Sequence, residues 1–196
     1  ELLVLLENSV YIQTRSDVPV GSYLSGGIDS SLITTLLSKN YLNGFETFTG
    51  SFKEEGFSEV KYAKEVCEKT NSIYNEVNIT QKDFIDNIED IVYYMDEPEA
   101  GIGVFAQYMV SKVASTKVKV VLGGQGGDEL FNGYMRYYVA YLEECLKGAI
   151  LESNNVNHIV NLKSIMNNLP SLKQYMPMLT KQFSTGLFDP MEKRYF

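Results

Sequence analysis

One histidine and two cysteines are all that this 196-residue chain has of the side chains most used for metal and nucleophile chemistry. A Ser-His-Asp triad or a multi-histidine metal centre cannot be built around the lone His158, which reads as a surface residue of an Asn-rich stretch. Cys67 and Cys145 are far apart and have no Cys or His neighbour. They read as free thiols of a cytoplasmic protein, not as a zinc or disulfide framework. Long apolar runs are missing too, so no segment suits a bilayer. Basic residues are scarce, 17 against 25 acidic for a net charge of −8, which argues against non-specific binding to nucleic acid or acidic membranes while leaving a local cationic pocket open. Residues 1–10 have no basic leader region, so they do not read as a signal peptide. The chain starts at Glu1 without an initiator Met and is expected to be a piece of a longer protein. What remains, 44% apolar and 21% charged residues, is the composition of a globular chain with one packed domain, or one domain and an appendage.

The periodicities alternate between two kinds. Leu2, Leu3, Leu5, Leu6 and Val10 recur at near-helical spacing, which predicts an amphipathic helix over 1–14, broken at Pro19. A short buried strand over 20–24 leads to a helix over 30–37. The Thr- and Phe-rich alternation of 45–52 predicts a second strand, and 72–79 a third. Between them 54–58 is a polar connector, and Ser58 with Glu59 is placed to cap a helix over 60–70. Thr80 with Asp83 three residues on opens a helix through about residue 94, stopped by Asp96-Glu97-Pro98. A glycine-punctuated loop, 99–103, precedes a helix over 104–115, and Val118–Leu122 (118–122) is the most β-branched strand. Alternating strands and helices over 18–135 predict an α/β domain with a parallel sheet. Beyond residue 137 no strand pattern remains, which predicts a helical extension over 138–196 beside a domain of residues 1–137.

Two stretches stand out chemically. The first, Ser25-Gly26-Gly27-Ile28-Asp29-Ser30-Ser31, lies between a strand and a helix, where backbone N–H groups and a helix start suit a phosphate. Asp29 would repel phosphate unless a cation such as Mg²⁺ stood between them. The same residues also make ordinary turns and caps. The second, Gly123-Gly124-Gln125-Gly126-Gly127-Asp128-Glu129, again follows a strand. Its acids would suit a helix start in any case. Together the two turns should lie at the carboxyl edge of one sheet, with Asp29 and Asp128 able to hold one Mg²⁺ on a triphosphate. The spacing is not that of a Walker loop, which needs Gly-Lys, nor of a dinucleotide Gly-x-Gly-x-x-Gly turn.

Ser25-Gly26-Gly27-Ile28-Asp29-Ser30 resembles the pyrophosphate loop of the N-type ATP pyrophosphatases. With Asp17-Val18-Pro19-Val20-Gly21, Asp96-Glu97-Pro98 and Val120–Tyr134 (120–134), the chain is similar to the synthetase domain of the glutamine-hydrolysing asparagine synthetases. The likeness is strong over 1–140 and one of texture beyond. It implies a three-layer, Rossmann-like fold of the adenine nucleotide alpha hydrolase kind. It also implies adenylation of the aspartate side chain by Mg·ATP, with release of pyrophosphate, and then attack by ammonia. By motif position, Ser25, Gly26, Gly27, Asp29 and Ser30 would hold pyrophosphate; Asp29 and Asp128 would flank Mg²⁺; and Leu24, Gly50, Gly123 and Gly124 would line the nucleoside.

Three departures qualify that picture. Gln125 stands where many members have Glu, so a general base at this catalytic position is in doubt. The chain does not begin with the nucleophilic Cys of a glutaminase domain, the partner expected to supply ammonia from glutamine. A transition-state lysine would fall beyond Phe196. A β-lactam-synthetase-like ligase shares the same loops, and an isolated nucleotide-binding fragment without activity is the alternative from another class. Tyr134, Tyr137, Tyr138 and Tyr141 read as a packing stripe, with Arg136 able to meet a phosphate. Glu97 and Glu99 are either substrate contacts or loop charges. The oligomeric state stays open, a homodimer included.

Overall fold

The computed structural model describes residues 1–41, 43–52, 59–97, 101–150 and 162–184. The 54–58 connector with its Ser58 cap, Pro98, Glu99, His158, Pro190 and Phe196 lie outside the described residues. The chain divides into two compact units, Glu1–Gln125 and Gly126–Phe196.

The first unit is built on four parallel strands. These are β1 (Val20–Tyr23), β2 (Glu46–Phe52), β3 (Ile73–Ile79) and β4 (Val120–Leu122), in the spatial order β3-β2-β1-β4. Each crossover carries helix, as parallel pairing requires: α2 (Ile28–Ser38), α3 (Val60–Thr70), then α4 (Gln81–Met95) with α5 (Ile102–Ala114), preceded by α1 (Leu2–Gln13). The α/β parallel sheet expected from the sequence is therefore present, with short strands where the β-branched runs are short.

Strand periodicity of two sends alternate side chains into two separate cores. From β1, Val20 joins Leu36, Leu37, Val10 and Phe45 under α1 and α2, while Leu24 packs with Ala63 and Cys67 of α3. On the opposite face Phe48 and Val77 pack with Ile91 of α4 and with Phe105, Val110 and Ala114 of α5. Three layers result, two of helix and one of sheet. Polar residues placed on these faces are paired. Ser22 Oγ and Thr34 Oγ1 share a hydrogen bond of 2.9 Å in the core, and Thr47 Oγ1 lies 3.2 Å from Cys67 Sγ.

Helix starts differ in their local chemistry: α4 has a side-chain cap, whereas α1, α2, α3 and α5 have none. Thr80 and Asp83 form the reciprocal capping box, Asp83 N to Thr80 Oγ1 at 3.2 Å and Thr80 N to Asp83 Oδ2 at 2.8 Å. Helix α2 begins two residues before the expected Ser30, because Gly27 serves as its N-cap. Helix α1 covers the expected residues, yet Leu2, Leu3, Val4 and Leu5 are exposed. Only Leu6 and Val10, one helical turn apart, reach the core.

The second unit holds α6 (Gly127–Phe131), α7 (Met135–Ile150), α8 (Leu162–Ile165), a 3-10 helix (Met166–Tyr175) and α9 (Met176–Phe183). It has no strand among the described residues. Val139, Leu172 and Leu179 form its core with Met135, Tyr138 and Leu142 around them. Glu143 is buried at 3% exposure and sits 2.6 Å from Lys147, which also reaches Glu144 at 3.0 Å. Burial works against the Lys147 charge, but the two carboxylates outweigh it and raise its pKa.

Candidate functional site

In the order β3-β2-β1-β4 the direction of winding reverses between β1 and β4, and open α/β sheets bind ligands beyond the carboxyl ends of such a pair. The loops that leave β1 and β4 are the two glycine stretches. Val20, Gly21 and Ser22 pair with Val120, Val121 and Leu122, so both strands end at the same level. Beyond them Gly124 meets the start of α2. A Cβ on Gly124 would stand 2.7 Å from Ser30 N and 2.9 Å from the Asp29 carbonyl carbon. The structure thus brings Gly124 to the Ser25–Ser30 loop (25–30), within the first unit, while Gly123 lies against Tyr23 and Gln125 against Gln107.

The first loop is fixed by its own hydroxyls. Ser25 Oγ and Ser30 Oγ share a hydrogen bond of 2.9 Å. Gly27 N donates to Ser25 Oγ at 3.1 Å, and Ser25 N donates to Ser30 Oγ at 3.2 Å. Gly26 adopts φ 95°, and a Cβ there would be 2.6 Å from the Glu59 carbonyl oxygen at the start of α3. Both the dihedral and the close approach require glycine. The first helical bond of α2 is Ser31 N to Gly27 O, 3.0 Å, so the N–H groups of Ile28, Asp29 and Ser30 precede the hydrogen-bonded ladder. Donors at a helix start favour an anion. Asp29 is half-buried in this first turn, and among the described residues its carboxylate has no ion-pair or hydrogen-bond partner.

Leu24 is fully buried. Its N–H donates to Phe48 O at 2.9 Å and its carbonyl accepts from Thr49 Oγ1 at 2.6 Å, which anchors the loop to β2. Gly50 lies within β2, where a Cβ would meet Val110 and Ile79 at 3.1 and 3.2 Å. Gln125 is exposed, and its Nε2 donates to Gln107 Oε1 of α5 at 3.3 Å. Sequence reasoning did not single out Gln107, and it placed Glu59 only at the cap of α3, where Glu59 is the N-cap but makes no side-chain cap bond. For Gln107 a signal existed: it and Ser111 are polar residues four apart in a mostly apolar helix.

In the second unit, Gly126 has φ 91° and α6 carries Asp128 and Glu129 in its first turn. Asp128 is exposed and lies over Gly133, where a Cβ would collide with its Oδ1; Gly133 N donates to Asp128 O at 2.9 Å. Tyr134 OH donates to Glu129 Oε1 at 2.8 Å, which holds the Glu129 carboxyl below its ordinary range and raises the Tyr134 phenol. The bond exists above the lowered Glu129 pKa and is lost as acid protonates the carboxylate. Tyr134→Phe is therefore expected to raise the Glu129 pKa toward the ordinary value for glutamate. A carboxyl-carbon NMR titration checks this, and an unmoved midpoint would refute the assignment. Arg136 lies over the rings of Tyr134 and Tyr137, 4.4 and 5.1 Å from their centroids, so its guanidinium is stacked where a phosphate contact was considered.

Among the described residues no group of three or more Asp, Glu, His or Cys side chains could hold a metal on its own. No helix among the described residues is long and apolar enough to cross a membrane.

Residues 1–187 match the family described as asparagine synthase. A glutamine-hydrolysing asparagine synthetase of Bacillus subtilis (strain 168) is 41% identical over 130 residues, which are 66% of this chain and 20% of that protein. A putative glutamine-hydrolysing asparagine synthetase of Methanocaldococcus jannaschii is 32% identical over 189 residues, 96% of this chain and 36% of its relative. The chain thus spans between 20% and 36% of the length of these relatives. Among solved structures, the NH3-dependent NAD synthetase of Campylobacter jejuni has a TM-score of 0.48 at 15% identity, covering 90% of this chain and 93% of that one.

Proposed function

From the premise that the chain belongs to the asparagine synthase family, we propose that it is the adenylating part of an ATP-dependent, asparagine-forming ligase. In this reaction the β-carboxylate of aspartate attacks the α-phosphate of ATP and pyrophosphate leaves. Ammonia then displaces AMP from the β-aspartyl adenylate to give asparagine. The observation that carries the proposal is the meeting of Gly124 with Asp29 and Ser30 at the β1/β4 reversal, which joins two glycine turns around one helix start.

The residues divide the work as follows. The N–H groups at the start of α2, with Ser25 and Ser30, receive the leaving pyrophosphate; Gly26 lets the turn pass close to α3 and Gly27 caps α2, which holds those donors in place. Leu24, Gly50, Gly123 and Gly124 border the nucleoside. By motif position Asp29 and Asp128 are the carboxylates that would hold Mg²⁺, which would supply positive charge to offset that of the phosphates. Because these donors are fixed before substrate arrives, little reorganisation is needed as charge moves onto the leaving group. A glutaminase domain elsewhere in the full-length protein is the proposed source of ammonia, and residues 1–137 the catalytic domain with 138–196 as its helical extension.

The test is aspartate-dependent release of pyrophosphate from Mg·ATP by the full-length protein. Release that requires aspartate and ammonia or glutamine supports the reading. Release that ignores aspartate and follows another carboxylate would move the protein to the β-lactam-synthetase type of ligase. ATP binding without any release would leave a binding module.

A further inference from the structure

Although Gln125 is exposed, its carboxamide is engaged by neighbouring groups of the protein. Its Nε2 donates to Gln107 Oε1 at 3.3 Å, and its Oε1 lies over Gly123 so closely that a Cβ there would collide with it. Gln107 in turn donates from Nε2 to Ser111 Oγ at 3.5 Å. Ser111 Oγ donates to the backbone carbonyl of Gln107 at 2.6 Å and lies 2.7 Å from the hydroxyl of Tyr23, the last residue of β1. A chain of side chains thus runs from the second glycine turn, through α5, to the strand that feeds the first.

Counting hydrogens gives this chain a direction. The serine hydroxyl has one hydrogen, and its shortest bond directs it to the Gln107 carbonyl. Tyr23 must then donate to Ser111, and Gln107 Nε2 donates there as well. What Gln107 turns toward residue 125 is its Oε1, which only accepts. A donor at 125 matches this acceptor, and glutamine supplies one, whereas an ionised glutamate would set acceptor against acceptor. Turning the Gln107 amide over does not relieve the demand, because its oxygen would then face a serine whose hydrogen is already engaged.

We propose that Gln107 and Gln125 are a positioning pair that sets the second glycine turn against the start of α2, and that Gln107 selects amide over carboxylate at position 125. The effect on turnover rests on the ligase reading; the pairing itself does not.

The experiment uses the full-length protein with Gln107→Leu, Gln125→Leu, the double variant, Gln125→Glu and Gln107→Lys/Gln125→Glu. Urea unfolding without substrate reads the pairing. Each leucine variant is expected to lower the midpoint, and the double variant to fall short of the summed losses. Strictly additive losses would overturn the pair, whatever the protein catalyses. Pyrophosphate release reads the positioning. Gln125→Glu is expected to raise the KM for ATP about tenfold, as loss of one hydrogen bond would, with kcat little changed, and Gln107→Lys to restore it by supplying a donor. Full activity of Gln125→Glu beside Gln107, or no rescue by lysine, would overturn the selection. A wild-type protein that releases no pyrophosphate would count against the ligase reading, and the urea cycle would still decide the pair.

Discussion

Asp29→Asn is expected to lower pyrophosphate release by the full-length protein on the order of 10²–10³-fold, the size of effect seen when one fixed electrostatic contact to a developing charge is removed. The substitution keeps the shape of the side chain and removes its charge. Asp29 has no partner among the described residues that would be orphaned by the change, so the folded chain loses only the favourable placement of an acid in the first turn of α2. That is about 0.3–2 kcal/mol at a half-buried helix start. A large kinetic loss with little loss of stability is therefore the signature of a metal ligand. Calorimetry separates the steps: ATP binding measured with and without Mg²⁺ should differ in the wild type and converge in the variant. If the variant keeps the full Mg²⁺-dependent increment, Asp29 is not a ligand.

Gly26→Ala is expected to destabilise the first unit by about 3 kcal/mol. Two costs combine. A left-handed φ of 95° strains any L-residue by about 1–2 kcal/mol. The new methyl would also stand 2.6 Å from the Glu59 carbonyl oxygen and 3.1 Å from Ala63 N. Both are backbone atoms at the start of α3, so relief requires a shift of the helix, for a further 1–3 kcal/mol or so. Chemical or thermal unfolding measures the sum, which corresponds to a fall in Tm of roughly 6–12 °C for a chain of this size. Gly103→Ala is the control. Nothing lies within 4 Å of its would-be Cβ, and its stability should equal or slightly exceed that of the wild type. Equal stabilities for the two alanine variants would show that Gly26 is not held as described.

How far the sequence disclosed this molecule can be traced through particular residues. The strands were legible because Thr47, Thr49 and Ser51 alternate with Phe48, Gly50 and Phe52, and each set meets a different layer. The Thr80 box was legible because its two partners are three residues apart and need nothing from the rest of the fold. The glycine turns were legible because the strand–turn–helix order is itself local. What stayed hidden depends on contacts between distant segments. The helix of residues 1–14 was drawn as amphipathic, but only tertiary packing decides that Leu6 and Val10 are covered while Leu2 to Leu5 are not. The early start of α2 follows from Gly27 acting as a cap, a use of glycine that composition does not announce. Gln125 was noticed as a departure, yet its partner Gln107 is 18 residues away on another element, and only the hydrogen-bond geometry joins them.

The spatial order of the strands also sets a timetable. The pairing of β1 with β2 and of β2 with β3 joins segments about one crossover apart, whereas β1 must wait for β4, whose Leu122 pairs with Ser22. Closing that long loop costs more entropy and forms the least local pairing of the sheet. A ribosome will have made the whole serine-glycine loop, and both helices packed beside it, before the strand that completes the cleft exists. Until then the centre of the sheet presents β1 as an open edge. A nascent chain halted short of residue 122 would therefore keep that edge exposed, available to a chaperone or to another unfinished copy.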